Sequence, residues 1–281
     1  MSHHHDDGEA PDGGFRMDMQ RMIGRRRLLA ALGLGGATAL VGPALAQGGP
    51  DPQPDQTGTA ADGGTCTVPA AETNGPFPAD GTNVRAGQTV NVLDQSGVVR
   101  SDLRASFGDF SGAAEGIPLT LEVKIVNVNA ACTPLGGLPF YLWHCDAAGR
   151  YSLYMVPEAN WLRGMQVSDG AGVVRFTTIL PGCYEGRWPH FHFEVFASAA
   201  AAVTGRDSLL ISQFALPEAG LADLYAADSR YAGSLGPLSR VSLARDSIFA
   251  DNSAAQMSAM TLAVTGDGAG LVATAVIGLA L

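Results

Sequence analysis

Apolar and polar side chains alternate without a break along Leu119-Thr120-Leu121-Glu122-Val123-Lys124-Ile125. Successive side chains of a strand point to opposite faces, so this spacing predicts a half-buried strand with the apolar residues inward. Runs rich in β-branched and aromatic residues predict further strands at 138–145 (LPFYLWHC), 172–179 (GVVRFTTI), 189–197 (PHFHFEVFA), 208–216 (SLLISQFAL) and 238–244 (LSRVSLA). The last stretch, MTLAVTGDGAGLVATAVIGLAL, reads as two strands around a GDGAG turn. Helical spacing is thin and is clearest in LADLYAADSRYA, 221–232. Many short strands between Gly and Pro turns predict one all-β domain over 68–281, a β-sandwich with short helices and long loops.

The front of the chain follows another pattern. Arg25-Arg26-Arg27 precedes the Gly/Ala-rich apolar run LLAALGLGGATALVG, and Ala44-Leu45-Ala46 follows it. A charged region, an apolar stretch and a small-residue cleavage site stand in the order of an export signal. The run is shorter than the ~20 residues a membrane-spanning helix needs. Arginines abutting it predict that residues 1–46 direct twin-arginine export, with an ordinary secretory signal or a retained anchor as alternatives. The mature chain is then periplasmic or extracellular, without stable membrane insertion. Residues 47–67, rich in Gly, Pro and Asp and without apolar periodicity, predict a flexible linker.

Composition narrows the partners. The net charge is −10, the acids and bases are scattered, and Lys124 is the only lysine, so no basic footprint for nucleic acid exists. The four cysteines, Cys66, Cys132, Cys145 and Cys183, favour disulfides in an exported protein, and all three pairings remain open. No CxxC is present, which argues against a thiolate zinc site.

The candidate chemistry lies in PGCYEGRWPHFH. On a strand, His190 and His192 project from one face while Phe191, Phe193 and Val195 face the other way. Two imidazoles on one face make half of a transition-metal site, although satisfied core histidines explain most such pairs. Pro181-Gly182 forms a turn that presents Tyr184, and Asp146 to Gly149 forms a tight turn before Tyr151. Either tyrosine alone reads as core with a bonded hydroxyl; beside the histidine pair they read as donors.

Four ordered blocks carry a resemblance. They are Trp143, Asp146, Gly149 and Tyr151; then Trp161-Leu162-Arg163-Gly164; then Thr178-Ile179-Leu180-Pro181-Gly182-Cys183-Tyr184; then Arg187, His190 and His192. Together they resemble the core of the intradiol ring-cleavage dioxygenases, the catechol and protocatechuate 3,4-dioxygenase group, with weaker similarity from about Thr73 to Asp228.

The resemblance implies an intradiol-type β-sandwich and one non-haem Fe(III) per chain, bound by Tyr151, Tyr184, His190 and His192. It implies an aromatic diol and O2 as substrates and a muconate-type diacid as product. Tyr184 is implied to leave the metal and act as base, with Arg187 near the reacting carbon and Gln213 beyond the histidine strand. The alternative is a metal-containing module that binds polyphenol or cell-wall material without turnover. Two departures stand out. The family's TEGPYY-like segment reads Thr73-Asn74-Gly75-Pro76-Phe77-Pro78, which leaves the ring substituents open, and Cys183 replaces a common tryptophan, suggesting a disulfide that braces the loop. His144 and Glu194 are expected to be structural.

Overall fold

A computed structural model describes residues 53–281 apart from 86, 206 and 207. The expected export signal lies outside the described residues. Two small hairpins come first: β1 (Thr57–Thr59) pairs with β2 (Thr65–Thr67), and β3 (Asp80–Arg85) pairs with β4 (Gln88–Asn91). Residues 53–67 are therefore not the flexible linker their composition predicts. Cys66 on β2 is bonded to Cys132, and the Gln53 amide exchanges hydrogen bonds of 2.9 and 3.1 Å with the Ala71 backbone. Linker-like composition reported only missing apolar periodicity; a covalent tie and a tight turn order the segment instead.

The alternating segments become a sandwich of two sheets. β5 (Pro118–Asn127), β6 (Thr133–Pro134), β7 (Pro139–Trp143), β8 (Arg163–Val167), β9 (Val173–Ile179), β10 (His190–Phe196), β11 (Ser208–Ala215), β12 (Ala263–Asp267) and β13 (Gly270–Leu279) supply it. One sheet runs β11-β10-β7-β8, antiparallel throughout. The other runs β12-β13-β5, with β6 and β9 also pairing with β5 and β13 parallel to it. Leu119, Leu121, Val123 and Ile125 enter the same core as Phe140, Leu142, Phe191, Phe193 and Val195. The predicted alternation holds on both sides of that core.

Every residue of β7 and β10 is buried, because the opposite face of their sheet is covered as well. There Tyr141, Trp143, Tyr151, Met165 and Phe196 form a second apolar cluster with Ala79, Val92 and Leu93 of the β3–β4 region. His190 and His192 lie on this second face, under loops rather than in the sandwich interior.

Helices are short: α1 (Ala199–Thr204), α2 (Leu221–Ala227), α3 (Ala232–Leu238) and α4 (Ala254–Met260). The helical stretch expected at 221–232 is broken by a tight turn at Ser229–Tyr231. The strand expected at 238–244 does not form. Leu238 ends α3, and Val241 and Leu243 pack on the core from a loop and a tight turn. Inward and outward side chains alternated there without any partner strand to pair with.

Candidate metal centre

β10 places the Nε2 atoms of His190 and His192 3.0 Å apart. His190 Nδ1 lies 2.5 Å from the Trp188 carbonyl. A carbonyl only accepts, so that nitrogen carries the proton and Nε2 turns its lone pair to the centre. His192 is oriented by stacking: Trp143, its neighbour across the β7–β10 ladder, lies 4.9 Å away at 8°. Gly75 packs against the same ring with φ at +75°, and a β-carbon there would meet His192 Cε1 at 3.0 Å. Glycine is needed for both the backbone angle and the approach.

The tyrosines arrive on two loops packed against each other. Asp146 shapes the first: its Oδ1 accepts from the backbone N–H of Ala148 and Arg150, both at 2.9 Å. Gly149, with φ at +79°, presses on the second loop, where a β-carbon would lie 3.0 Å from that of Tyr184. The second loop is held by α2, α3 and the turn between them. Tyr225 Oη donates to the Pro181 carbonyl (2.6 Å), Tyr231 Oη donates to Leu180 (2.7 Å), and Ser234 Oγ accepts from the Cys183 N–H (2.9 Å). The hydroxyls of Tyr151 and Tyr184 end 3.5 Å apart, and Tyr184 Oη is 3.2 Å from His190 Nε2. All four predicted donors thus converge.

Burial shapes their chemistry. It lowers His190 to about 3, helped by the Arg187 charge, and pushes His192 well below the usual range, helped by His190. Both imidazoles are neutral donors. Burial also raises both phenols, and the neighbouring Tyr184 raises Tyr151 further. Three buried polar groups and the half-buried Tyr184 phenol thus meet at one point, an arrangement in which a cation would favour phenolate over phenol.

Among the described residues no group of three or more His, Cys, Asp or Glu could hold a metal, so the donor set depends on the two phenols. Two oxygens and two imidazole nitrogens, without thiolate, suit a hard, highly charged cation such as Fe(III). The thiols turn away: Cys145 points to the Gly182 carbonyl and Cys183 to that of Arg187, each at 3.5 Å. Burial pushes Cys183 up to about 12. The disulfide expected at Cys183 is not formed; it and Cys145 are free, and Cys66–Cys132 is the bridge among the described residues.

Arg187 is buried rather than at the surface, with its side chain 4% exposed. Its Nε donates to Asp246 at 3.0 Å, and its Nη2 donates to Gln213 Oε1 at 2.7 Å. Gln213, opposite His192 on β11, donates in turn to the Thr73 carbonyl at 3.1 Å. Asp246 was not identified from sequence. Burial works to raise its pKa, but Arg187 and the Trp188 N–H outweigh that and hold the carboxyl below its ordinary value. No local motif marks it, because Arg187 and Trp188 lie 59 and 58 residues away in the chain. His144 is buried, held between the Cys145 carbonyl and Thr178 Oγ1. Glu194 is buried, and desolvation, then Asp80, raises its carboxyl well above the usual range. A cavity of 550 Å³ beside the Asp146 turn, lined by Arg150, Glu158, Trp161 and Arg230 among others, includes none of the four donors.

Part of the sequence and the fold are similar to known proteins. Residues 100–206 match the family model Dioxygenase_C, described as a dioxygenase. An intradiol ring-cleavage dioxygenase from Tetranychus urticae is similar in structure, with 21% identity and a TM-score of 0.57 over 76% of this chain and 95% of that one. A dioxygenase domain from a carbohydrate-binding fusion protein of Streptomyces sp. SirexAA-E aligns at 22% identity over 76% of this chain and 99% of its own, with a TM-score of 0.47. A search of curated proteins found no match. The first alignment establishes a β-sandwich of the intradiol dioxygenase fold. The matched segment and that fold are together similar to the intradiol ring-cleavage dioxygenases, a family of oxidoreductases.

Proposed function

We propose that this chain is a non-haem Fe(III) enzyme that uses O2 to cleave a catechol-type ring between its hydroxyls, giving a muconate-type diacid. The observation that carries the reading is the convergence of Tyr151, Tyr184, His190 and His192, with contacts of 3.0 to 3.5 Å between neighbours, beside a buried Arg187. One iron per chain would sit among these four donors. When bound, Fe(III) would hold both diol oxygens and draw electron density out of the ring.

The remaining roles belong to this chain's own side chains. Tyr184 is the proton acceptor for a diol hydroxyl, because it is the less enclosed phenol and stands nearest His190. Arg187, aimed by Asp246 and Gln213, offers a fixed cation to negative charge developing on the ring oxygens. Trp143 covers one face of the His192 ring, and Gly75 lies against its Cε1, so both hold the imidazole in place. Residues 1–46 serve twin-arginine export in this reading, so the folded enzyme works outside the cytoplasm.

The test is iron content, visible absorption and oxygen uptake on one preparation, with catechol, protocatechuate and hydroxyquinol as substrates. A red protein with about one iron per chain that consumes O2 with one of them supports the proposal. Colourless protein with stoichiometric zinc sinks it. Red protein that binds diols without oxygen uptake supports the binding module instead.

A further inference from the structure

Arg163 is fully buried at the start of β8. A buried guanidinium normally meets a carboxylate, since its charge is costly to desolvate. Arg163 meets none: among the described residues no ion pair includes it, and all its partners are neutral. Its Nε donates to Ser152 Oγ (3.0 Å) and its Nη2 to the Ser152 carbonyl (3.0 Å). Its Nη1 reaches the carbonyls of Phe77 (2.8 Å) and Pro78 (3.1 Å) and, at 3.4 Å, Tyr141 Oη.

These partners belong to two segments that both touch the donor set. Ser152 follows Tyr151 directly, and its hydroxyl donates to the Trp161 carbonyl at 2.7 Å. Phe77 packs its ring 5.0 Å from that of Tyr151, and Gly75, two residues before it, abuts His192. β8 also pairs with β7 so that Arg163 stands opposite Trp143, the residue stacked on His192. One side chain therefore joins the loop that carries Tyr151 to the strap, residues 75–78, that lies over Tyr151 and His192.

We propose that Arg163 is a positioning residue for the metal centre, fixing the Tyr151 phenol and the 75–78 strap relative to the histidine pair. Only a planar fork of five N–H donors can satisfy both segments together. A lysine has three donors on one atom and cannot span them, which separates geometry from charge. The inference rests on the iron reading above.

The experiment loads apo-protein with Fe(III) and follows iron affinity and the visible tyrosinate band for wild type, Arg163→Lys, Arg163→Gln and Ser152→Ala. Leu121→Ala, a cavity in the sandwich core remote from the strap, serves as a control for lost stability. Arg163→Lys and Arg163→Gln are expected to bind iron at least ten-fold more weakly, with a shifted band. Ser152→Ala, which keeps the arginine and removes one contact, is expected to fold and to show the same band shift at smaller amplitude. Leu121→Ala should lower the melting temperature and leave the band in place. A wild-type band and affinity in Ser152→Ala and Arg163→Lys overturns the proposal. So does a band shift in Leu121→Ala equal to theirs. Wild-type protein that forms no tyrosinate band at all fails the iron reading instead, before any variant is compared.

Discussion

At the scale of single residues, the two tyrosines are chemically alike and differ in setting. Tyr151 is enclosed on every side, while Tyr184 keeps some exposure and borders His190. Tyr184→Phe should keep iron on three donors but lose the base, lowering turnover by ~10²–10⁴-fold while the diol still binds. Tyr151→Phe should instead weaken iron retention and change the colour with and without substrate. Iron content and spectra under nitrogen, with oxygen uptake alongside, distinguish the two; wild-type turnover in Tyr184→Phe refutes its role as base.

Asp246 gives a pH prediction. Its folded pKa is depressed below an unfolded value of ~3.9, so it binds fewer protons folded than unfolded as the pH falls towards that value. Its stabilising contribution is complete above ~3.9 and is lost as acid protonates it. Asp246→Asn should therefore flatten the acid limb of the stability profile. Leaving Arg187 buried without its partner should cost about 3–5 kcal/mol, measurable by urea unfolding at neutral pH. An unchanged acid limb would mean that the pair carries no linked proton.

At the scale of elements, the histidine strand was legible because a period of two fixes which side chains share a face, whatever surrounds the strand. The loop that presents Tyr184 was legible as a turn, but what holds it was not. Ser234 and Tyr225 reach it across 51 and 44 residues, from short helices whose sequence shows nothing beyond an ordinary apolar stripe. Ser234→Ala removes a side chain that bonds both the Cys183 N–H and the Ala147 carbonyl, joining the two tyrosine loops. It should cost about 1–3 kcal/mol through the unsatisfied buried groups and should broaden the visible band. A band of wild-type width would show that the other contacts suffice.

The strand expected at 238–244 and the described part of the expected linker, residues 53–67, fail for a related reason. Periodicity reports which side chains are apolar, not whether a neighbouring strand is there to pair with, and composition says nothing about a distant cysteine. Val241 packed inward from a loop, and Cys66 found Cys132.

At the scale of the whole molecule, the Cys66–Cys132 bridge closes a loop with a sequence separation of 66. A loop of that length restricts the unfolded chain by roughly 4 kcal/mol. Reduction, or Cys66→Ser with Cys132→Ser, should lower the melting temperature while leaving iron content and the visible band unchanged, because both cysteines pack in a cluster with Val126 and Val128 that includes none of the donors. Loss of iron on reduction would contradict that separation. Replacing Arg25, Arg26 and Arg27 with lysines should leave the folded precursor inside the cell; normal secretion would point to the general export route.

The sequence by itself determined the strand faces and the sandwich class, because alternation is local. Through its family resemblance it also singled out Tyr151, Tyr184, His190 and His192, which the fold brings together. Only the tertiary structure decided that the donors lie on the loop-covered face of the β7–β10 sheet rather than in the sandwich core. It alone decided that Arg187 answers to Asp246, that Cys183 stays free while Cys66 and Cys132 join, and that Arg163 spans two segments without a counter-charge. Each of these depends on groups far apart in the chain meeting in three dimensions, where burial sets their protonation and hydrogen bonding fixes their aim.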